Sequence, residues 1–379
     1  MDYKTILYDD LGATAQITAF TPQNKTHEFH IILHISPRNE LFDAQLARIL
    51  QAEQRLLNDP ITTGSNYVLK RYFLSDAANQ QPLIPRDTSC AVSLIQQPPL
   101  DGSKIAVWLY LVRGAKVYNL NNTTVVEHNG YQHLWTMGLT SPQGNAAQQT
   151  ETILNRYADT LKGFGDTLER NCIRTWFFVR DVDTQYEGMV RARKDFFAKQ
   201  GLTQHTHYIS STGIGGTPAD TKALVQLGAY ALHGIKPNQQ RYLYAPTHLN
   251  PTYEYGVTFE RGTLLQFGDR AHIIISGTAS IDNKGQVLHP GNIIRQTQRM
   301  WENVEALLSE GGASFRDVMQ IVVYLRDAAD YHTVRHLFSD KFPRIPAVFT
   351  LAPVCRPAWL VEMECAAVVP QQNSNFPDF

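Results

Sequence analysis

Gln149–Asp181 reads QTETILNRYADTLKGFGDTLERNCIRTWFFVRD, and Gln296–Asp327 reads QTQRMWENVEALLSEGGASFRDVMQIVVYLRD. Both stretches open on Gln-Thr and continue with apolar residues at helical spacing. These are Ile153, Tyr157 and Leu161 in one, and Met300, Val304 and Leu307 in the other. Each helix closes near a glycine, Gly163 or Gly311, which suits a C-terminal cap. A β-rich run follows, Ile173 to Val179 or Ile321 to Leu325, and each run ends on Arg-Asp before a second helix, Tyr186 to Phe197 or Tyr331 to Phe342.

The likeness extends outward in both directions. HLWTMGLTS from His133 and HIIISGTAS from His272 precede the two helices, and Leu224–Leu232 (LVQLGAYAL) matches Leu360–Val368 (LVEMECAAV) at the far end. Matched segments in one order indicate duplication. Each copy reads strand, helix, strand, helix, strand, with a hairpin at its start. The expected fold is therefore α+β, with mixed sheets and helices packed on one face. Residues 1–90 hold a strand (Phe29 to Ile35), a helix (Glu40 to Leu57) and a strand ending at Asp76, which resembles part of a third copy. The expected division is an N-terminal α+β extension (1–90), a degenerate copy (91–236), a Pro-containing linker (237–256) and a catalytic copy (257–379).

Composition narrows the class. A chain of 379 residues with 43% hydrophobic residues and a formal charge of -1 reads as a globular protein, with Lys and Arg too dispersed for a nucleic-acid footprint. No run approaches the roughly 18 apolar residues of a membrane span, and MDYKTILYDD does not have the order of a signal peptide. A cytoplasmic location with no membrane partner is the expectation. Cys90, Cys172, Cys355 and Cys365 form no CxxC pair, and the 13 histidines form no HExxH, so neither a metal nor a redox cofactor is expected. SSTGIGG lacks the Lys-Ser/Thr of a phosphate loop. Trp176, Phe177 and Phe178 read as core.

The copies disagree where chemistry is expected. Glu362 in LVEMECAAV aligns with Gln226 in LVQLGAYAL, and Gln cannot deliver a proton. Glu362 and Glu364 alternate along a strand and so share a face. Cys355 and Arg356 precede them in a Pro-flanked turn, where the other copy has Ser211–Gly216 and no arginine. This combination suits a pocket in which Arg356 grips a carboxylate and Glu362, raised in pKa by desolvation, supplies a proton. It also suits a plain structural ion pair. Gly277 would let a substrate approach the backbone closely, or would simply end a strand.

Residues Phe259 to Val369 resemble the RidA (YjgF) family, through ISGTAS, the QT helix with Asn303, VVYLRD, Pro346-Ala347 and VEMECAAV. That family implies a chorismate-mutase-like α+β fold, often trimeric, with sites at subunit clefts. The tandem arrangement is similar to the chorismatase family, through RTWFFVRD, the Tyr186–Phe197 helix with Arg193, STGIGG, NPTYEYGVTFERG and CRPAWLVEME. That resemblance implies removal of the enolpyruvyl group of chorismate as pyruvate. It assigns Glu362 as the acid that protonates the enolpyruvyl methylene. It assigns Cys355 and Gly277 as the pair typical of members that form 3-hydroxybenzoate rather than a dihydrodiol acid. Arg356, Arg335, Arg261, Tyr255 and Thr278 are then the expected contacts to the substrate. One departure stands out: Phe259-Glu260-Arg261-Gly262 replaces the expected Phe-Ser-Arg-Ala and adds a carboxylate. A RidA-type enamine/imine deaminase and a non-catalytic sensor of a small carboxylate are the alternatives. A monomer with internal pseudo-symmetry and a homo-trimer both remain open.

Overall fold

The computed structural model describes residues 1–379, except for the side chain of Tyr255, which lies outside the described residues together with the contact expected of it. Three units follow one another. The first holds β1 (Asp2–Tyr8), β2 (Ala13–Phe20), β3 (His27–Ile35), α1 (Phe42–Leu57), β4 (Asn66–Leu74), α2 (Ala77–Gln80), β5 (Ala91–Gln96) and β6 (Ile105–Arg113). The second holds β7 (Lys116–Leu120), β8 (Thr123–His128), β9 (Tyr131–Thr140), α3 (Ala146–Gly163), α4 (Leu168–Asn171), β10 (Cys172–Val179), α5 (Val182–Lys199), β11 (Ser210–Gly215), β12 (Thr217–Pro218) and β13 (Val225–His233). The third holds β14 (Gln240–Leu243), β15 (Gly262–Gln266), β16 (Arg270–Ala279), α6 (Ile293–Glu310), β17 (Val318–Leu325), α7 (Tyr331–Lys341), β18 (Ala347–Leu351) and β19 (Val361–Pro370).

The sheets run β1-β2-β3-β6-β4-β5, β7-β8-β9-β13-β10-β11 and β14-β15-β16-β19-β17-β18, with β12 added to the edge of the first. In each, the last long strand inserts between the strand before the first helix and the strand after it. Each sheet has one parallel pair, β4/β5, β10/β11 or β17/β18, and is otherwise antiparallel. The fold is thus α+β with tandem units of one topology, and the first unit is a whole copy rather than a fragment.

Its sheet runs to Arg113, past the expected boundary at residue 90. Ile105–Arg113 is buried along nearly its whole length and supplies the strand that closes the sheet between β3 and β4. The stretch read as a linker contains β14, an edge strand of the third sheet. SSTGIGG is largely β11, paired in parallel with β10. The left-handed residues after α3 and α6 are Gly165 and Gly312, two and one positions beyond the expected caps.

Strand alternation sorts the core. Phe177 and Val179 face the helices of their own unit, whereas Trp176 and Phe178 face a shared interior with Trp108 and Ile275. Contacts β5–β9, β11–β16 and β3–β17 join each unit to the next around that interior. Three inter-unit clefts result. No helix among the described residues is long and apolar enough to cross a membrane.

Candidate active site at the cleft between the second and third units

The Gln of each Gln-Thr pair explains its own recurrence. Gln296 accepts from the Leu360 backbone N–H (2.9 Å) and donates to the Ala358 carbonyl (2.9 Å), bracing the turn that launches β19. Gln149 does the same to Leu224 (2.7 Å) and Lys222 (3.0 Å) ahead of β13. Asn303 donates to the carbonyls of Ala279 (3.0 Å) and Ile281 (2.9 Å), fixing the end of β16. Helix α6 thereby sets both strands that carry the site.

Glu362 sits opposite Ala279 and Tyr324 in the ladder. The β16 register shifts between Ile275 and Thr278, and this bulge meets the second unit. Gly277 donates its N–H to Thr212 Oγ1 (2.9 Å), and Ser276 Oγ accepts from the Ser211 N–H (2.9 Å). The turn carrying Cys355 is stitched to the same β11 edge, through Gly215 N–H to the Pro353 carbonyl (2.9 Å) and an Ile214–Val354 bridge.

These connections border a small cavity that opens to solvent. The third unit lines it with Gly277, Glu362, Cys355, Arg356, Arg261 and Trp359. From the second unit come Tyr186 and Arg193 on α5, with Ser211 and Gly213 on β11. Of the expected residues, Glu362, Cys355, Gly277, Arg356 and Arg261 converge here.

Two expected residues do not. Thr278 is buried with its hydroxyl donating to the Ser276 carbonyl (2.9 Å) and does not line the cavity. Arg335 lies exposed on α7, over the Phe349 ring and bonded to Ser339, in the cleft between the third and first units. The reason is topological: each unit's second helix borders the cleft to the following unit. The cation from a second helix is therefore Arg193 of α5, which the sequence placed in a motif without giving it a role. Tyr186, two turns earlier on α5, supplies a hydrogen bond to the Cys355 thiol. Gly213 permits the Tyr186 ring to pack closely, since a Cβ there would lie 3.0 Å from Tyr186 Cε2.

Burial pushes the Glu362 carboxyl up to about 8; the nearby Glu364 charge adds to the rise, and Arg174 and Arg261 oppose it. Glu362 is thus a neutral acid at pH 7. Burial, then the Glu362 charge, raises the Cys355 thiol to about 12, so it is no thiolate nucleophile at neutral pH. Arg261 donates to the Asn250 carbonyl (3.1 Å from Nη2), and the Arg356 guanidinium lies 5.0 Å from the Trp359 ring centroid. Arg193 donates to Thr258 Oγ1 (3.1 Å). The extra carboxylate, Glu260, does not line the cavity; it accepts from the Tyr208 N–H (2.7 Å).

The equivalent position in the second unit carries no carboxyl. Gln226 donates to Ser93 Oγ (2.9 Å), linking the second unit to the first. In the first unit, ladder register puts Ala106 at this position.

The family model described as endoribonuclease L-PSP matches residues 267–369. A RutC family protein of Pyrococcus abyssi is 34% identical over 97 residues, 25% of this chain and 76% of that protein. The 3-aminoacrylate deaminase RutC of Acinetobacter baylyi is 32% identical over 71 residues, 19% of this chain and 56% of that protein. Among solved structures, that of a chorismatase superposes with a TM-score of 0.63 at 17% identity, covering 82% of this chain and 95% of that one. That likeness shows a shared architecture across all three units, and the chain belongs, through its third unit, to the RutC family of RidA-like proteins.

Proposed function

We propose that the chain is a chorismatase, cleaving the enolpyruvyl group of chorismate to release pyruvate and 3-hydroxybenzoate. The observation that carries this reading is a buried, neutral Glu362 in a cleft that also holds Arg193, Arg261 and Arg356. Chorismate is a small dianion, and guanidinium groups match its carboxylates. Protonation of the enolpyruvyl methylene by Glu362 leaves an oxocarbenium-like carbon. Attack by an oxygen and cleavage of the ether bond then free pyruvate, and Glu362 recovers its proton from the products or solvent.

The attacking oxygen decides the product. A hydroxyl of the substrate itself consumes no water and leads to the aromatic acid; water leads to a dihydrodiol acid. Gly277 and Cys355 face the same cavity as Glu362, as the resemblance to hydroxybenzoate-forming members requires. Cys355, held as a thiol, acts by shape and hydrogen bonding. The cleft is completed within one chain, which supports a monomer as a competent unit.

Incubation of purified protein with chorismate tests the reading, with pyruvate followed by a coupled assay and aromatic product by chromatography. Absence of pyruvate would sink it. A second reading, an enamine/imine deaminase, draws on the similarity to the RutC deaminase over 71 residues. Ammonia release from a small aminoacrylate, without pyruvate from chorismate, would favour it.

A further inference from the structure

We propose that Glu364, two residues along β19 from the acid, is a positioning residue: anchored by arginines from the other two units, it holds Thr212 against Gly277 and keeps Glu362 in its proton-donating form. The inference rests on Glu362 being the acid of the proposed reaction.

Glu364 is 2% exposed and has partners on every side. Arg174 Nη2 donates to it at 2.8 Å, Trp176 Nε1 at 2.9 Å and Arg71 Nη1 at 3.3 Å. Thr212 adds a hydroxyl donor. Arg71 comes from the first unit, Arg174, Trp176 and Thr212 from the second. Arg71 is wedged 4.9–5.1 Å from the ring centroids of Trp108, Trp176 and Phe178, so it has no room to swing away. A buried carboxylate survives only with such partners.

Thr212 links this anion to the acid. Its hydroxyl donates to Glu364 and accepts from the Gly277 N–H (2.9 Å), and its methyl faces the open side of Gly277, where the Glu362 carboxyl also lies. The two glutamates point to one face of β19. Burial pushes Glu364 up, but Arg174, Arg71 and the hydrogen bonds outweigh it and hold its carboxyl below the usual value. A fixed anion in the same dry interior makes a second one beside it unfavourable. The other groups facing Glu362 are Arg174, Arg261, Cys355 and Tyr186, with Tyr324 across the ladder. Arg193 and Arg356 share its cavity. The arginines favour its ionisation; burial first, and then the Glu364 carboxylate, oppose them.

The decisive measurement is ¹³C NMR titration of labelled glutamate side chains, assigned with E362Q and E364Q and run without substrate. The expected result is that Glu364 stays ionised while Glu362 titrates, and that E364Q moves the Glu362 titration down by about one pH unit or more. The alkaline limb of chorismate turnover moves with it, whereas E364D restores the wild-type midpoint. Loss of activity equal at every pH, with the Glu362 titration unmoved, overturns the proposal. If E364Q does not fold, the wild-type titration still decides, because Glu364 ionising after Glu362 also overturns it. A shifted Glu362 titration in a protein that never releases pyruvate would uphold the positioning and reject the chorismatase reading.

Discussion

Glu362 and Gly277 approach so closely across the β16–β19 ladder that a methyl group at 277 would overlap the Glu362 carboxyl oxygen and come within 3.0 Å of the Thr212 methyl carbon. Glycine is needed here for close approach rather than for a left-handed backbone. Replacing it with alanine turns the acid's carboxyl, the flexible partner. Paired with Cys355→Ala, it moves two walls of the cavity at once. The expected outcome for G277A/C355A is product diverted from 3-hydroxybenzoate toward the dihydrodiol acid, read by chromatography. An unchanged product ratio would remove both residues from product control.

Glu362→Gln keeps the shape and loses the proton. The variant should fold and bind chorismate with little change in Kd while pyruvate release falls by roughly 10²–10⁴-fold, the usual range for a general acid. In the wild type, turnover should decline as pH rises through about 8, where the acid ionises. Full turnover by E362Q would exclude Glu362 from the chemistry.

The same carboxyl predicts a stability difference. Its pKa is about 8 when folded, against an ordinary value of 4.5. Between those values the folded state holds a proton that the unfolded state has lost, so this group's contribution to stability falls as pH rises through that window. The glutamine variant lacks the term. Relative to wild type, E362Q should gain stability from pH 4.5 to pH 8, on the order of 4 kcal/mol. Urea unfolding of both proteins at several pH values checks this, and parallel curves would place the carboxyl's pKa near its ordinary value.

Much of this was legible because backbone-bracing side chains leave a spaced signature. Gln149 and Gln296 each pin the turn before the last strand, so the pair survives in both copies and betrays the duplication. The first unit has the same strand order but Ala106 and Trp108 where the third has Glu362 and Glu364, and only its hydrophobic alternation remains to be read. Within the site, residues near Glu362 on its own unit could be found by motif. Those contributed across the cleft could not: Arg174 and Arg71 lie 190 and 293 residues from Glu364, and no spacing announces them. Arg335 shares a unit with Glu362, yet α7 borders the other cleft, and a motif does not say which cleft a helix lines.

That correction is testable with two arginines. Arg335→Gln should leave kcat/KM within about twofold, because an exposed side chain outside the cavity makes no differential contact with the transition state. Arg261→Gln should raise KM by about tenfold or more, as expected for a lost charge-assisted contact, and should weaken the fold because it loosens Asn250. Equal effects of the two substitutions on KM would contradict the placement of Arg335.

Glu260 stands where the related pattern has serine, and its charge would repel a dianion if it faced the cavity. Instead its carboxylate turns to the Tyr208 N–H at 2.7 Å, while its own backbone N–H meets the Ile209 carbonyl at 3.0 Å. The Ser276 hydroxyl donates to the Glu260 carbonyl (2.6 Å), so backbone bonds hold this residue in place whatever its side chain. Substitution by serine therefore removes one buried hydrogen bond and no contact to substrate. Glu260→Ser should cost about 1–2 kcal/mol in unfolding free energy and leave KM for chorismate within about twofold, since no term in ground-state binding is touched. A large fall in KM on this substitution would mean that the carboxylate reaches the substrate, and that the cavity admits a less acidic ligand than chorismate.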